Sequence, residues 1–395
     1  MPELPEVERA AKLLRDVAKH NEIVDVETAD DTIVYSGTTY EEFAQTVKGR
    51  VVENVARYGK VFYMELSGNG KMPVMHFGMT GMLQVKGQLA TYYKETPRKA
   101  STDWPPRFMK FILHIKHRST GEITQVAFLD ARRLGRIRLC TSPLNEPPIS
   151  ALGFDPILSM PKLDEFKPLV LKRSCPIKAL LLDQSFSAGV GNWVADEVLY
   201  HSRVHPERRC NTLTEDELVA LHIQMQHVCQ VAVEANADDT KFPENWLFKH
   251  RWGKGKKKEH TLLLPSGEPA SIKWITVGGR TSAFVVELQH PNGAASSSRS
   301  ATSRHGKEKA KSKYWREQEN DASLSKEDES EFSSLSDEDG SSKGQDKTVG
   351  PVKKRKASSI STIHRSTRRK TEKAIEQVKA TPSTRRSKRT SKRGT

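Results

Sequence analysis

Between Glu22 and Cys140 the chain carries seven short runs rich in β-branched and aromatic residues: EIVDVETA, VVENVARY, KVFYMEL, PVMHF, RFMKFILHI, ITQVAFLD and RIRLC. Gly, Asn and Ser part them. Short strands at this spacing predict a sandwich or a barrel. One different segment stands ahead of them. From Leu4 to His20 the apolar residues Leu4, Val7, Ala11, Leu14 and Ala18 recur at three and four, which is one face of a helix. Pro5 suits its first turn, where a missing N–H costs nothing. The insert at 91–106 is polar and proline-containing, and reads as a surface loop.

Prolines then cluster from Leu144 to Leu163, where a linker is expected. Helical patterns follow. Ile177, Leu180 and Leu181 share one face in SCPIKALLLDQ, and Trp193, Val194, Val198 and Leu199 share one in NWVADEVLYHSRV. SAGVGN between them is a tight glycine turn. Thr214 and Glu217 form a capping box ahead of LVALHIQMQHVCQVAVEA. Residues 259–289 return to a β pattern, with PSGE as a hairpin turn and Leu262, Leu264, Ile272, Trp274, Phe284 and Val286 as its expected core. The fold class is therefore α+β. Four regions are expected: a helix and β-sandwich domain over 1–145, a helical domain over 146–250, a β-hairpin over 251–293, and a disordered basic tail over 294–395.

Charge is concentrated at the end of the chain. The formal net charge is +15, and the tail from Ala294 holds roughly +12 of it, leaving about +3 for everything before. A polyanionic partner is implied, met in the folded part by a local patch. The tail has too few large apolar residues to fold alone. Its acidic block, Glu327 to Asp339, precedes the basic runs VKKRK, RSTRRK and RRSKRTSKR, and PVKKRK reads as a nuclear localisation signal. Cys140, Cys175, Cys210 and Cys229 stand far apart with no CxxC, so zinc is not expected. MPELPEVE lacks a basic and an apolar leader region, and no apolar run is long enough to span a bilayer. No membrane partner is expected, and the thiols are expected to be reduced.

Five motifs, MPELPEVE, HFGMTG, DARRLGRIR, GVGNWVADE and GGRTSAFVVELQ, follow one another in the order found in the formamidopyrimidine-DNA glycosylase (Fpg/Nei) family of base excision repair enzymes. The chain resembles that family over about residues 2–290. The resemblance implies a helix plus β-sandwich domain, a helix–two-turn–helix domain and a zinc finger or a zincless substitute. Without CxxC pairs the chain is similar to the zincless, plant- and fungus-type branch. The resemblance implies damaged double-stranded DNA as partner, a monomer, no cofactor and a bifunctional glycosylase/AP lyase.

Such an enzyme needs an amine to attack the sugar C1′. An α-amino group has a pKa of about 7.7–8.0, against about 10.4 for lysine, so a terminal Pro2 exposed by loss of Met1 is close to readiness at neutral pH. A secondary amine yields a charged iminium, a good electron sink for the eliminations that follow. The resemblance makes Glu3 the general acid/base and Glu6 a carboxylate near the nucleophile. An acid in that role needs a raised pKa, which burial supplies. By local sequence alone, PELPEVE is simply an acidic helix start favoured by the dipole.

The same resemblance gives Lys60 and Arg280 contacts to phosphate, and puts Gly189, Gly191 and Asn192 in the helix–two-turn–helix turn. Glycines there let the backbone approach a phosphate. Glu197 matches a buried structural acid. Met79, Arg132 and Leu134 match the residues that fill the gap left by a flipped base. Leu134 replaces the usual phenylalanine of bacterial members; it is still an apolar wedge but has no aromatic face. WLFKHRWGKGKKK leaves almost no room for the loop that caps 8-oxoguanine, so weak activity on that lesion is expected. Better activity is expected on formamidopyrimidines, further-oxidised guanine products and abasic sites. The competing readings are a catalytically inactive nuclear protein that binds damaged DNA on the same fold, and a nuclear RNA-binding protein. The latter accounts for the tail but for none of the motifs.

Overall fold

Helix α1 (Leu4–Ala18) is amphipathic as its spacing predicts, but its buried face serves two cores. Val7, Ala11, Leu14 and Ala18 join the core of the N-terminal sandwich, whereas Leu4 joins the core of the helical domain. The first residues of the chain are thus clamped between two domains. The computed structural model describes residues 1–88, 103–252 and 262–291, all within one compact unit spanning Met1–Glu329. Most of the 91–106 insert, segment 253–261 and the tail lie outside the described residues.

Eight strands build the sandwich. In chain order they are β1 (Glu22–Thr28), β2 (Val52–Tyr58), β3 (Val61–Leu66), β4 (Met72–His76), β5 (Met82–Val85), β6 (Met109–Lys116), β7 (Ile123–Leu129) and β8 (Arg136–Cys140). They form two antiparallel four-stranded sheets, β1-β6-β7-β5 and β2-β3-β4-β8. A line of aromatic rings crosses from one sheet to the other: Phe62–Phe77, Phe77–Phe128, Phe128–Phe111 and Phe111–Phe43, with centroids 4.7 to 5.4 Å apart. Such pairs add to the burial term that drives the two faces together.

Two elements here escape a reading of periodicity. Helix α2 (Tyr40–Val47) has only eight residues; Thr39 Oγ1 accepts the Glu42 N–H at its start, and it buries Phe43 and Val47. Strand β5 has four residues and is recruited by pairing with β7 rather than by its own pattern.

The proline-rich connection is not a loose tether. Asp155 is fully buried within it and accepts N–H groups from Gly59 (2.8 Å), Ile157 (2.9 Å) and Leu158 (3.0 Å), as well as the Arg57 guanidinium. Arg57 also donates to Glu8 on α1 (2.8 Å). A buried pair satisfied on every side fixes register more than it adds stability. Beyond it come α3 (Leu163–Leu171), α4 (Ile177–Leu182), α5 (Asn192–His201) and α6 (Glu215–Glu234). Helix α3 carries Pro168 in its interior, a residue that argues against a helix in sequence. The Thr214–Glu217 capping box opens α6 as expected. Helix α5 is buried from Trp193 to Tyr200, acids included.

A hairpin of β9 (Ile272–Val277) and β10 (Arg280–Val285) closes the described chain. Its two-residue turn is Gly278–Gly279, both at positive φ (60° and 71°), as a type I′ turn demands. PSGE forms the other turn, between the bridged Leu263 and Pro269. The expected hairpin core is corrected by one residue on β10. Ala283 and Val285 face the core with Leu262, Ala270 and Ile272, while Phe284 points the other way, onto the His205 ring at 4.6 Å, and Val286 is only half-buried. Alternation along a strand makes a one-residue slip reverse the face.

Candidate active site

The site is assembled from four segments: the start of α1, the β2–β3 turn, the turn into α5, and β10. Pro2, Glu3 and Glu6 are all buried. The Glu6 carboxylate accepts the backbone N–H of Glu3 (2.9 Å), closing the start of α1. The Glu3 carboxylate is committed elsewhere. It accepts the N–H groups of Trp193 (3.0 Å) and Val194 (3.1 Å), the free amides at the N-terminus of α5. An acid that reads as belonging to its own helix start therefore serves a helix some 190 residues away.

The glycines explain how the two helix starts meet. A Cβ on Gly191 would lie 2.2 Å from the Glu3 carboxyl carbon, and one on Gly189 2.8 Å from Leu4 Cβ. Gly189 also has φ +97°, and its carbonyl accepts the Leu4 N–H (3.1 Å). In the described structure these glycines leave the room on their Cβ side to residues 3 and 4. Gly59, at φ +59°, packs in the same way against Ala188.

Lys60 is buried, and its Nζ donates to the Val190 carbonyl in that same turn (3.1 Å). Burial pulls its pKa down, as does Arg280, while Glu3 and Glu6 oppose the shift. Arg280 is exposed, directly after the Gly278–Gly279 turn. Asn192 holds the hairpin to the turn through Nδ2, which donates to the Thr281 carbonyl (3.0 Å). Glu197 accepts the N–H groups of Leu247 (2.9 Å) and Phe248 (2.8 Å), the structural role expected of it.

At the start of α1 the pKa of Glu6 is clearly displaced. Burial and the neighbouring Glu3 charge raise it from 4.5 to about 7. Between pH 4.5 and about 7 the unfolded chain has lost this proton and the folded chain has kept it, so stability falls as pH rises through that window. The loss is about 3 kcal/mol at most. Glu6→Gln is expected to flatten the dependence, measured as urea midpoints from pH 4.5 to 7.5; a parallel curve for the variant would refute the assignment.

A second cluster lies at the end of β4 and the loop before β8. Asp130 is fully buried. Its carboxylate accepts Thr80 Oγ1–H (2.8 Å), Arg132 N–H (3.3 Å) and Gly135 N–H (2.6 Å). A Cβ on Gly78 would meet the Leu134 carbonyl carbon at 2.3 Å. Met79, Arg132 and Leu134 are therefore brought to one place, with Arg132 exposed and Leu134 41% exposed. His76 connects this cluster to Lys60. Burial, Lys60 and Arg136 push its pKa down to about 4. Its Nδ1 accepts the Gly78 N–H (3.0 Å), so the neutral ring carries its proton on Nε2. His76 was within reach of the sequence, inside HFGMTG, but nothing local marks it as different from a core histidine.

Sequence reasoning also misses Asp196. Fully buried on α5, it takes Lys178 Nζ, Arg251 Nη2 (2.6 Å) and the Ala283 N–H (3.1 Å), pinning the hairpin that carries Arg280. An acid inside an apolar helical face is the only signal for it in sequence. The chain has no cysteine beyond Cys229, so a cysteine-ligated zinc finger does not fit the hairpin.

The arrangement presents a buried Pro2 next to the half-buried Met1, a carboxylate fixed by a helix start, a carboxyl poised near neutrality, and cations on several sides. Known proteins resemble the chain in sequence and in fold. Residues 1–137 match the model of the formamidopyrimidine-DNA glycosylase N-terminal domain, and 152–244 that of the formamidopyrimidine-DNA glycosylase H2TH domain. A formamidopyrimidine-DNA glycosylase of Arabidopsis thaliana is 37% identical over 289 residues, covering 73% of this chain and 71% of the relative. One from Bacillus subtilis is 27% identical, covering 73% and 99%. In fold, the chain resembles the Lactococcus lactis formamidopyrimidine-DNA glycosylase crystallised with DNA containing an AP site, at TM-score 0.57 and 22% identity, over 73% of this chain and 99% of that one. The chain belongs to the formamidopyrimidine-DNA glycosylase family.

Proposed function

We propose that this protein is a DNA glycosylase of base excision repair that also cleaves at abasic sites. Pro2, freed of Met1, attacks C1′ of the damaged nucleotide. The base departs, an iminium forms, and β- then δ-elimination leaves a one-nucleotide gap flanked by phosphates. Glu3 and Glu6 handle the protons of ring opening and elimination. Lys60, His76, Asn192 and Arg280 hold the phosphates on either side, and Met79, Arg132 and Leu134 occupy the space the extruded base leaves. The observation that carries this reading is the fixing of the Glu3 carboxylate, one residue from Pro2, by the α5 amides.

The substrates proposed are formamidopyrimidines, further-oxidised guanine products and abasic sites in double-stranded DNA, with weaker action on 8-oxoguanine. The last rests on the short segment before the hairpin, whose residues 253–261 lie outside the described structure. We place the protein in the nucleus on the strength of PVKKRK, and regard it as a monomer whose hairpin is held by Asp196 rather than by zinc. Among the described residues no helix is long and apolar enough to cross a membrane. Borohydride added to the protein with an abasic duplex should trap a covalent protein–DNA adduct. Tight binding of the duplex with no adduct would instead mark an inactive damage-binding protein.

A further inference from the structure

Leu134 lacks an aromatic face, yet an exposed aromatic ring is borne by a turn that is hydrogen-bonded to the start of its loop. Phe108 is 45% exposed, and its φ of 65° places it in the left-handed region. Bulky residues other than glycine rarely adopt that conformation, and they persist in it where the surroundings enforce it. Here the Phe108 carbonyl accepts the N–H of Asp130 (3.1 Å). Asp130 is the residue whose carboxylate organises Thr80, Arg132 and Gly135. Two residues on, Lys110 Nζ donates to Asp31 (2.8 Å), which also takes Arg133 through Nε and Nη2 (3.0 and 3.1 Å). The turn bearing Phe108 is thus tied by two polar links to the loop bearing Arg132 and Leu134. On one side the Arg107 guanidinium lies 4.5 Å from the Phe108 ring centroid.

We propose that Phe108 is a specificity-determining residue that stacks on a base of the strand opposite the lesion. It supplies the π-face that Leu134 cannot, and its occupant is duplex DNA opened at the damaged nucleotide. Two observations favour that occupant over an apolar partner protein. Exposed arginines adjoin both apolar residues in the chain, Arg107 next to Phe108 and Arg132 and Arg133 ahead of Leu134, and a guanidinium stacked on an aromatic ring is a platform on which a base adds readily. The strained backbone holds the ring out of the sandwich core, whose nearest aromatic residue on β6, Phe111, is fully buried. This proposal rests on the function proposed above.

The test uses the full chain and a duplex carrying a tetrahydrofuran abasic analogue opposite each base in turn, with 2-aminopurine beside the unpaired position. Phe108→Gly relieves the strained φ, so its melting temperature should not fall. Its duplex affinity should drop by about 5- to 150-fold, the range of base–aromatic stacking. Phe108→Trp should restore affinity and 2-aminopurine quenching, whereas Phe108→Leu should restore neither. Borohydride trapping on a single-stranded abasic oligonucleotide should be the same for all variants, because no opposite strand is present. Parent-like affinity in Phe108→Gly, or full rescue by Phe108→Leu, overturns the proposal. If the parent itself traps no adduct, the proposed chemistry fails instead.

Discussion

A chain that carries any residue ahead of Pro2 should form no borohydride-trapped adduct while still binding an abasic-analogue duplex within about threefold of the processed protein. The reason is chemical. With Met1 in place the proline nitrogen is a tertiary amide, with its lone pair delocalised and no proton to lose. Freed, it is a secondary amine with a pKa in the range of α-amino groups, about 7.7–8.0. Blocking it should lower single-turnover strand cleavage by about 10³-fold or more. Binding should persist because Lys60, His76 and Asn192, among the groups proposed to hold DNA, are held through Val190, Gly78 and Thr281. Pro2→Gly keeps an α-amine but loses the ring that fixes its direction, so it should trap far less adduct than the parent. Mass spectrometry of the purified protein decides which population is present. Equal trapping by blocked and processed chains would move the nucleophile elsewhere, with Lys60 the next candidate because burial already depresses its pKa.

Much of the scaffold was legible in the sequence because it rests on periodicity. The sandwich strands other than β5, α1 and the capped α6 follow from local pattern. What escaped was set by distant partners. Helix α2 and strand β5 are too short to show a period, and Pro168 in α3 reads as a breaker although the helix forms around it. On β10 the expected core residues were Phe284 and Val286, while Ala283 and Val285 join the hairpin core and Phe284 is buried against His205 instead; Asp196 takes the Ala283 N–H on that strand. The site divides in the same way. The types and order of its residues were visible in the motifs. The use of Gly189 and Gly191 to admit residues 3 and 4, and the pairing of Glu3 with the α5 amides rather than with α1, were not, since both depend on contacts some 190 residues apart.

That pairing leads to a second large effect. Glu3→Gln should lower single-turnover base release by about 10² to 10⁴, with duplex affinity little changed. Part of the loss is the missing acid. Another part is geometric: an amide can accept the Trp193 N–H with its oxygen, but then turns its own NH₂ toward the Val194 N–H. Gly191→Ala separates these contributions. The Gly191 backbone is extended (φ −120°, ψ −159°), a conformation alanine adopts freely, so any defect is steric. The new methyl would lie 2.2 Å from the Glu3 carboxyl carbon and 2.5 Å from Oε1, forcing the carboxylate off the α5 amides. Overpacking of this kind costs about 1–3 kcal/mol of stability, and the displaced acid should slow base release nearly as much as Glu3→Gln. The two changes strike one device, so the double variant should be little worse than either alone. Additive losses in single-turnover rates would mean that Gly191 acts on DNA directly, as its place in the turn first implied, and that Glu3 does not depend on α5.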